Sequence, residues 1–203
     1  MSATNNQFIR FLQQECSRFK DENRLLLEEV RALRRYLNAL QHLQKTVQHF
    51  TPEQDILSLL DDTLKCALVL LDAIDGSLML IDEETDELVF VLVHGTASDS
   101  LVGHRFDRRQ GIAGWVAENI EPAISDNVRT DARFLPTVDE QVGFETRSLV
   151  AVPLAARGRT LGVIEVVNKR SERPFTEEDA NLLSILATLA ASALDYAASA
   201  MEE

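Results

Sequence analysis

A carboxylate inside an apolar segment is the residue with the clearest potential for chemistry. Glu165 lies within residues 161–167, where every other residue is apolar or glycine. An unpaired charge buried in such a segment is costly, or the group shifts its pKa and becomes neutral. We therefore expect Glu165 to have a partner, which is either a donor on a bound ligand or an arginine of the protein itself.

A polar motif follows this segment. Asn168 and Lys169 end the apolar run, and Phe175 and Asp179 come shortly after them. We expect Asn168 to hydrogen-bond loop backbone and Lys169 to pair with Asp179. In this interpretation the motif is structural, because it holds a strand to the last helix.

The usual motifs of catalytic and metal sites are missing. The histidines are His42, His49, His94 and His104, and no cysteine or carboxylate spacing completes a metal site with them. Neither a GxSxG nucleophile turn nor a GxxxxGK[ST] phosphate loop occurs in the sequence. The sequence therefore predicts no catalytic residue, no metal and no enzyme activity.

The cysteines and the hydropathy indicate the compartment. Cys16 and Cys66 are far apart and each lies in a helical pattern, so neither a disulfide framework nor a zinc pair is indicated. The N-terminus has no apolar signal region, and no run of about 18 apolar residues occurs. We expect a cytoplasmic protein with no membrane partner.

The charge is uneven along the chain. Residues 1–50 hold 8 basic and 5 acidic side chains (+3), and the remainder holds 12 and 28 (−16), for a formal net charge of −13. An acidic domain repels phosphate backbones, so we expect no nucleic-acid partner. The acidic part nevertheless contains a local group of arginines, which would suit an anionic ligand or be solvated loop charges. They are Arg105, Arg108, Arg109, Arg129, Arg133 and Arg147.

The first fifty residues have the pattern of a coiled coil. Residues 5–48 contain no glycine or proline, and apolar positions alternate in spacing between 3 and 4. Valine at a and leucine at d favour two parallel helices, and an asparagine at a selects that register. The alternative is that this helix folds back onto its own domain. A helix of about 60 Å, however, is too long to lie against one small domain along its whole length. The central seam positions are Asn23, Leu26, Val30, Leu33, Leu37 and Leu40.

The remaining residues, 51–203, have the pattern of one α+β domain. Thr51 and Pro52 fit the start of a helix, and Thr176 fits the cap of the last one. Between them, strands are predicted in two pairs on either side of a short helix, which indicates an antiparallel sheet flanked by helices. The predicted strands are 77–81, 88–93, 148–153 and 160–167, and the short helix is 111–118.

Residues 52–197 resemble a GAF domain. The resemblance is carried by DGSLML, GIAGWV, LVAVPL, LGVIEVVNK and FTEED, in this order and at the family's spacing. It implies a GAF-type antiparallel sheet flanked by helices. The motif of Asn168, Lys169, Phe175 and Asp179 is most similar to the cyclic-nucleotide-binding branch of phosphodiesterases and adenylyl cyclases, although Ala180 stands where that branch has Glu.

The resemblance also implies a set of ligand-binding positions. Three of them depart from the branch: Val93 stands in place of a purine-stacking aromatic, His94 in place of an acid and Val142 in place of a threonine. The full set is Ser77, Val93, His94, Ala113, Asp139, Val142, Thr146 and Glu165. Relatives that reduce methionine sulfoxide or attach bilins use pocket cysteines, and the domain has only Cys66, in its first helix, so neither activity is expected.

Two functions fit these observations. The first is a dimeric, small-molecule-sensing regulatory module in signal transduction, with a cyclic nucleotide as the candidate ligand. The alternative is a ligand-free dimeric scaffold, whose pocket is sealed by side chains such as Val93, Val142 and Trp115. Because the 203 residues leave no room for a kinase, cyclase or DNA-binding region, we expect a separate effector protein in either case.

Overall fold

The computed structural model describes residues 2–48, 56–96, 98–171 and 173–201. The chain divides into two compact units, Met1–Asn38 and Ala39–Glu203. The first unit consists of helix α1, which spans Ser2–Gln48 and continues into the second. The predicted boundary between residues 50 and 51 stays a prediction, and the predicted helix start at Thr51 lies outside the described residues.

Helix α1 has an exposed apolar stripe in the single chain. The absence of glycine and proline allows one uninterrupted helix, as the sequence predicts. The described seam residues Asn23, Leu26, Val30, Leu33 and Leu37 are all exposed, the apolar ones to between 44% and 58%. The side chain of Leu40 is outside the described set. Pairing of this stripe with a second copy stays a prediction.

The second unit is built on one antiparallel sheet in the order β3-β2-β1-β6-β5-β4. Each pair of neighbours is antiparallel. This confirms the predicted fold class, and each predicted strand lies within an observed one, apart from Ser148. The strands are β1 Ala73–Asp82, β2 Glu87–His94, β3 Arg105–Asp107, β4 Ala123–Ser125, β5 Leu149–Ala156 and β6 Arg159–Lys169.

Helices cover both faces of the sheet. Helix α2 (Ile56–Leu70) packs on β1 and on α6 (Glu177–Met201), which also packs on β5. Alternate strand residues point to opposite faces, and Met79, Ala151 and Val163 share a core cluster with α4 (Gly111–Asn119). The sheet therefore separates an α2/α6 side from an α4 side.

Five short elements have no counterpart in the sequence prediction. They are strands β3 and β4, helix α3 (Ser98–Leu101), a 3₁₀ helix (Val128–Thr130) and helix α5 (Pro136–Val142). Helix α5 starts with a proline and is capped at its C-terminal end by Gly143, whose φ of 65° is left-handed. These elements are too short to show a periodic hydrophobic pattern, which is why the sequence does not indicate them.

The start of α6 is capped as predicted. The Thr176 hydroxyl accepts a hydrogen bond from the backbone N–H of Asp179 at 3.3 Å, and the Asp179 carboxylate accepts one from the Thr176 N–H at 2.8 Å. Lys169 pairs with the same carboxylate, and its ammonium lies 5.2 Å from the centre of the Phe175 ring. These contacts join the end of β6 to α6.

Asn168 organises the backbone before β5. Its Oδ1 accepts a hydrogen bond from the Arg147 N–H at 2.9 Å, and its Nδ2 donates to the Glu145 carbonyl at 2.9 Å. Its own backbone N–H donates to the Ser148 carbonyl at 3.0 Å. Asn168 itself has a left-handed φ of 53°. These contacts are the hydrogen bonds to loop backbone that the sequence predicts for Asn168.

Helix α6 is apolar enough, by length and composition, to cross a membrane over Glu177–Ser199. Core helices of globular domains satisfy the same criterion. Leu183, Leu186 and Ala187 are buried within the domain, so one face of α6 packs in the core. In contrast, Ile185, Leu189 and Tyr196 on the same helix are exposed.

Candidate ligand-binding cavity

A cavity of about 100 Å³ lies on the α4 side of the sheet. Its floor is a row of cross-strand partners, in which Val93 pairs with Ser77, Ser77 with Glu165, and Glu165 with Ala151. Direct partners in antiparallel strands place their side chains on the same face. The roof is formed by α4 and by residues 128–146, which we call the lid segment.

The walls of the cavity are mainly apolar. Phe90 and Phe106 come from the sheet, and Phe134 and Phe144 come from the lid segment. A cavity needs at least about 10–15 Å³ to hold one water. This one therefore has room for several water molecules or for a small ring-shaped compound.

The structure brings all eight predicted ligand-binding residues to this one cavity. Sequence positions as distant as 77 and 165 meet because β1 and β6 are neighbours in the sheet. Their role in binding stays a prediction, but their common location is a property of the fold. The eight lining residues are Ser77, Val93, His94, Ala113, Asp139, Val142, Thr146 and Glu165.

The carboxyl group of Glu165 lacks a partner in the part of the chain that the structure describes. Of the described residues, none donates a hydrogen bond to it or forms an ion pair with it. Burial, together with the negative charge of Asp139, raises the pKa of Glu165 to about 7. The internal arginine that the sequence left open as a partner is therefore not found in the described part of the chain.

Asp139, in contrast, is fully engaged by the protein. Its carboxylate accepts hydrogen bonds from Arg129 Nη2 at 3.0 Å, from the Thr146 N–H at 2.9 Å and from the Thr146 hydroxyl at 2.7 Å. The side chain is buried. Asp139, in the middle of the lid segment, is thus bonded to residues at both ends of that segment. In the cavity wall it therefore acts as a supporting residue.

A second set of contacts anchors the lid segment to α4. Arg133 forms two hydrogen bonds with Asp131, at 3.0 and 2.8 Å, and its guanidinium lies 4.7 Å from the centre of the Trp115 ring. The hydrogen bonds from Arg133 lower the pKa of Asp131 to about 2, against the opposing effect of burial. Of the three side chains that the scaffold alternative names, Val93 and Val142 line the cavity and Trp115 does not.

Helix α4 can pack closely against the loop that precedes it only because of a glycine. A Cβ added at Gly114 would lie 2.6 Å from the backbone carbon of Arg109. Any side chain there would force the first turn of α4 away from the preceding loop. Gly114 therefore fixes the position of Ala113 in the cavity wall.

The arginines near the cavity are neutralised by carboxylates. Arg105 pairs with Asp82 at 2.6 Å, and Arg108 and Arg109 pair with Asp86 at 3.0 and 2.8 Å. Among the described residues, no lysine or arginine lines the cavity. The local excess of arginine in the sequence therefore does not make a basic pocket.

His94 connects the cavity to α2. Its Nε2 lies 2.7 Å from Oδ1 of Asp61, which also bonds Lys65 one turn along the helix. Although burial opposes it, hydrogen bonds from Lys65 and His94 hold the pKa of Asp61 below its usual value. The sequence gives no signal for this contact, because Asp61 and His94 are 33 residues apart and lie in different elements.

The domain cysteine lies away from the cavity. Cys66 is buried within α2, and burial, with a smaller effect from Asp62, raises the pKa of its thiol to about 11. A thiol with so high a pKa is a poor nucleophile. In the described part of the chain, no group of three or more His, Cys, Asp or Glu residues is placed to hold a metal ion.

A curled antiparallel sheet flanked by helices, with a cavity under a helical roof, defines the class of this α+β domain. Comparison with family models gives the particular family: the GAF domain model matches residues 53–195. The chain therefore belongs to the GAF family, which confirms the resemblance seen in the sequence.

Related sequences are cyclic-nucleotide phosphodiesterases. The chain is 28% identical over 179 residues to a probable 3',5'-cyclic phosphodiesterase of Caenorhabditis elegans, covering 84% of this chain and 24% of that protein. It is 30% identical over 150 residues to a dual 3',5'-cyclic-AMP and -GMP phosphodiesterase of Drosophila melanogaster, covering 71% and 10%. The chain thus spans a quarter or less of the length of these relatives.

Solved structures share the fold. A GAF domain from a Coxiella burnetii phosphoenolpyruvate-protein phosphotransferase has a TM-score of 0.70 at 20% identity, over 85% of this chain and 99% of that one. A free methionine-R-sulfoxide reductase from Neisseria meningitidis, solved with its substrate, has a TM-score of 0.65 at 22% identity, over 81% and 91%. At these identities the likeness shows the fold alone.

Proposed function

We propose that this chain is a non-enzymatic regulatory GAF module that senses a small molecule in signal transduction. It binds its ligand in the cavity, pairs with a second copy through α1 and acts in the cytoplasm on a separate effector protein. The observation that carries the proposal is an apolar cavity with a carboxyl, Glu165, that no described residue satisfies. A donor on a bound ligand would give this carboxyl a partner that the described protein residues do not supply.

One side chain connects the cavity with helix α2. His94 lines the cavity and contacts Asp61 on α2. A ligand that displaces the imidazole changes this contact and favours a different position of α2. Differential binding to two such arrangements is sufficient to shift their populations.

Cyclic nucleotides are the first compounds to test. The sequence resemblance implies them, and the relatives named above are cyclic-nucleotide phosphodiesterases. Val93 offers no aromatic ring for a purine, and this removes a contact worth about 1–3 kcal/mol in other base-binding sites. We therefore include bases, nucleosides and other nucleotides in the panel.

Thermal unfolding at fixed protein concentration tests the proposal. A ligand present at about 100 times its Kd stabilises the folded state by about 2.7 kcal/mol. For a domain of this size that free energy raises Tm by several degrees. The proposal predicts such a shift for at least one compound at millimolar concentration, and a panel without any shift contradicts it.

A ligand-free scaffold is the second candidate. It is favoured by the size of the cavity, about 100 Å³, which is below the roughly 300–1,000 Å³ of most ligand pockets. In that case the exposed seam of α1 carries the function by binding a partner helix. The same thermal panel separates the two candidates, since a scaffold shows no shift with any small molecule.

A further inference from the structure

The chemical class of the ligand can be inferred from the charges that line the cavity. The described lining includes three carboxylates, Asp75, Asp139 and Glu165, and one imidazole, His94. Asp139 is neutralised by Arg129 at 3.0 Å. Because the described lining contains no lysine or arginine, an anionic ligand would meet a site whose charged groups are acidic.

Two of the three carboxylates already have donors. Asp75 accepts hydrogen bonds from the Thr96 N–H at 2.8 Å and from the Thr96 hydroxyl at 2.6 Å. Asp139 accepts its three bonds from the lid segment. Glu165 alone among them has acceptor atoms that face the cavity with no described donor, and its cross-strand partners are Ser77 and Ala151.

The opposite wall offers donors without a charged side chain. The first turn of α4, at Gly111, Ile112 and Ala113, lines the cavity, and the N-cap residue Gln110 makes no side-chain cap hydrogen bond. The first N–H groups of a helix have no partner within it. They can bind a carbonyl oxygen or ring nitrogen, so an acceptor on the ligand needs no full negative charge.

We propose that the cavity binds a compact, non-anionic nitrogen compound, with an apolar ring or chain among the phenylalanine and valine side chains and an N–H group that donates to Glu165. This inference rests on the proposed function, because it names the ligand class of the same cavity. It differs from the cyclic-nucleotide expectation in the sign of the ligand charge. Glu165 is then the residue that selects the ligand, through a charge-assisted hydrogen bond.

The test compares three probes that share one ring and differ in charge: benzylamine, benzyl alcohol and benzoate. Each is titrated into the 203-residue chain at pH 8, and the dissociation constant is measured by ligand-observed or protein-observed NMR. Benzylamine is expected to bind at least about tenfold more tightly than benzoate, as one charge-assisted hydrogen bond allows. Glu165→Gln is expected to reduce the affinity for benzylamine by about tenfold and to leave benzyl alcohol nearly unchanged.

Glu140→Gln is the matched control, because Glu140 is an exposed glutamate of α5 outside the cavity lining. It is expected to bind all three probes like wild type. Equal affinity for benzylamine in wild type and Glu165→Gln overturns the inference, as does tighter binding of benzoate. Binding of cyclic AMP or cyclic GMP without benzylamine also overturns it but leaves the proposed function in place, whereas the absence of binding by every compound contradicts both.

Discussion

At the scale of single residues, the cavity combines two carboxylates that have hydrogen-bond donors with one, Glu165, that has no donor among the described residues. Asp75 and Asp139, the other two carboxylates in the described lining, each accept hydrogen bonds from protein groups. Glu165 accepts none from the described residues, and its pKa is raised rather than lowered. A group of this kind reduces the stability of the empty protein and is characteristic of functional sites.

Glu165→Gln is predicted to stabilise the empty protein at high pH. The pKa of Glu165 rises from an ordinary 4.5 to about 7 on folding. The folded state therefore holds the proton more tightly, and the free energy of unfolding falls as the pH rises from 4.5 to 7. Above pH 7 the variant is expected to be more stable than wild type by on the order of 2 kcal/mol, and near pH 4 the two should be similar.

Urea unfolding of wild type and variant from pH 4 to pH 8.5 measures this difference. Glu140→Gln serves again as the control, because an exposed carboxylate should leave the pH dependence unchanged. Parallel stability curves for wild type and Glu165→Gln would show that the carboxyl is paired or solvated in the folded protein.

At the scale of elements, the strand pairing gathers the cavity residues and a few side chains fix the loops above them. The end of β6 does both, since Asn168 holds the backbone before β5 and Lys169 holds α6. Neither contact depends on a ligand. The motif that is most similar to the cyclic-nucleotide branch is therefore a clamp between elements in this protein.

Asn168→Ala and Asn168→Gly are predicted to destabilise the domain to different degrees. Both lose the side-chain bonds to the Arg147 N–H and the Glu145 carbonyl, which should cost about 1–3 kcal/mol. Alanine must also adopt the left-handed φ of 53°, which should cost it about 1 kcal/mol more than glycine. In urea unfolding we expect wild type to have the highest free energy of unfolding, Asn168→Gly the next and Asn168→Ala the lowest. Equal stability of the two variants would exclude backbone strain at this position.

The long elements and the cavity residues could be predicted from the sequence, whereas the contacts between them could not. Apolar runs bounded by turns indicate β1, β2, β5 and β6, and the heptad pattern indicates α1, because many residues contribute to each pattern. The family motifs placed Ser77 and Glu165 in one pocket, as found. The short lid elements, the bond between His94 and Asp61 and the pairing of Arg129 with Asp139 depend on tertiary contacts, for which a single sequence carries no periodic signal.

At the scale of the whole molecule, α1 presents an apolar seam that the single chain leaves exposed. Leucines and valines at the seam are about half exposed, and contiguous exposed apolar surface usually marks an interaction site. Pairing of two chains would bury it. The heptad pattern, with Asn23 at an a position, favours a parallel dimer.

Light scattering with size-exclusion chromatography tests the dimer. Wild type is predicted to have twice the mass of the chain, 22.7 kDa. Leu26→Glu combined with Leu33→Glu should give a monomer, because four charges would enter the seam of each pair of helices. Leu25→Glu is the matched control, since Leu25 is equally exposed but off the seam, and it should remain dimeric; a monomeric wild type would contradict the prediction.

The most direct test of the account is the thermal shift of wild type beside a variant whose cavity is filled. Ala113→Phe places a ring in the cavity of about 100 Å³, from the first turn of α4. We predict that the compound with the largest shift for wild type, several degrees in Tm, gives no shift with Ala113→Phe in the same panel. A wild-type protein that no compound stabilises, or a shift of equal size in both proteins, would contradict the claim that this cavity is a ligand sensor.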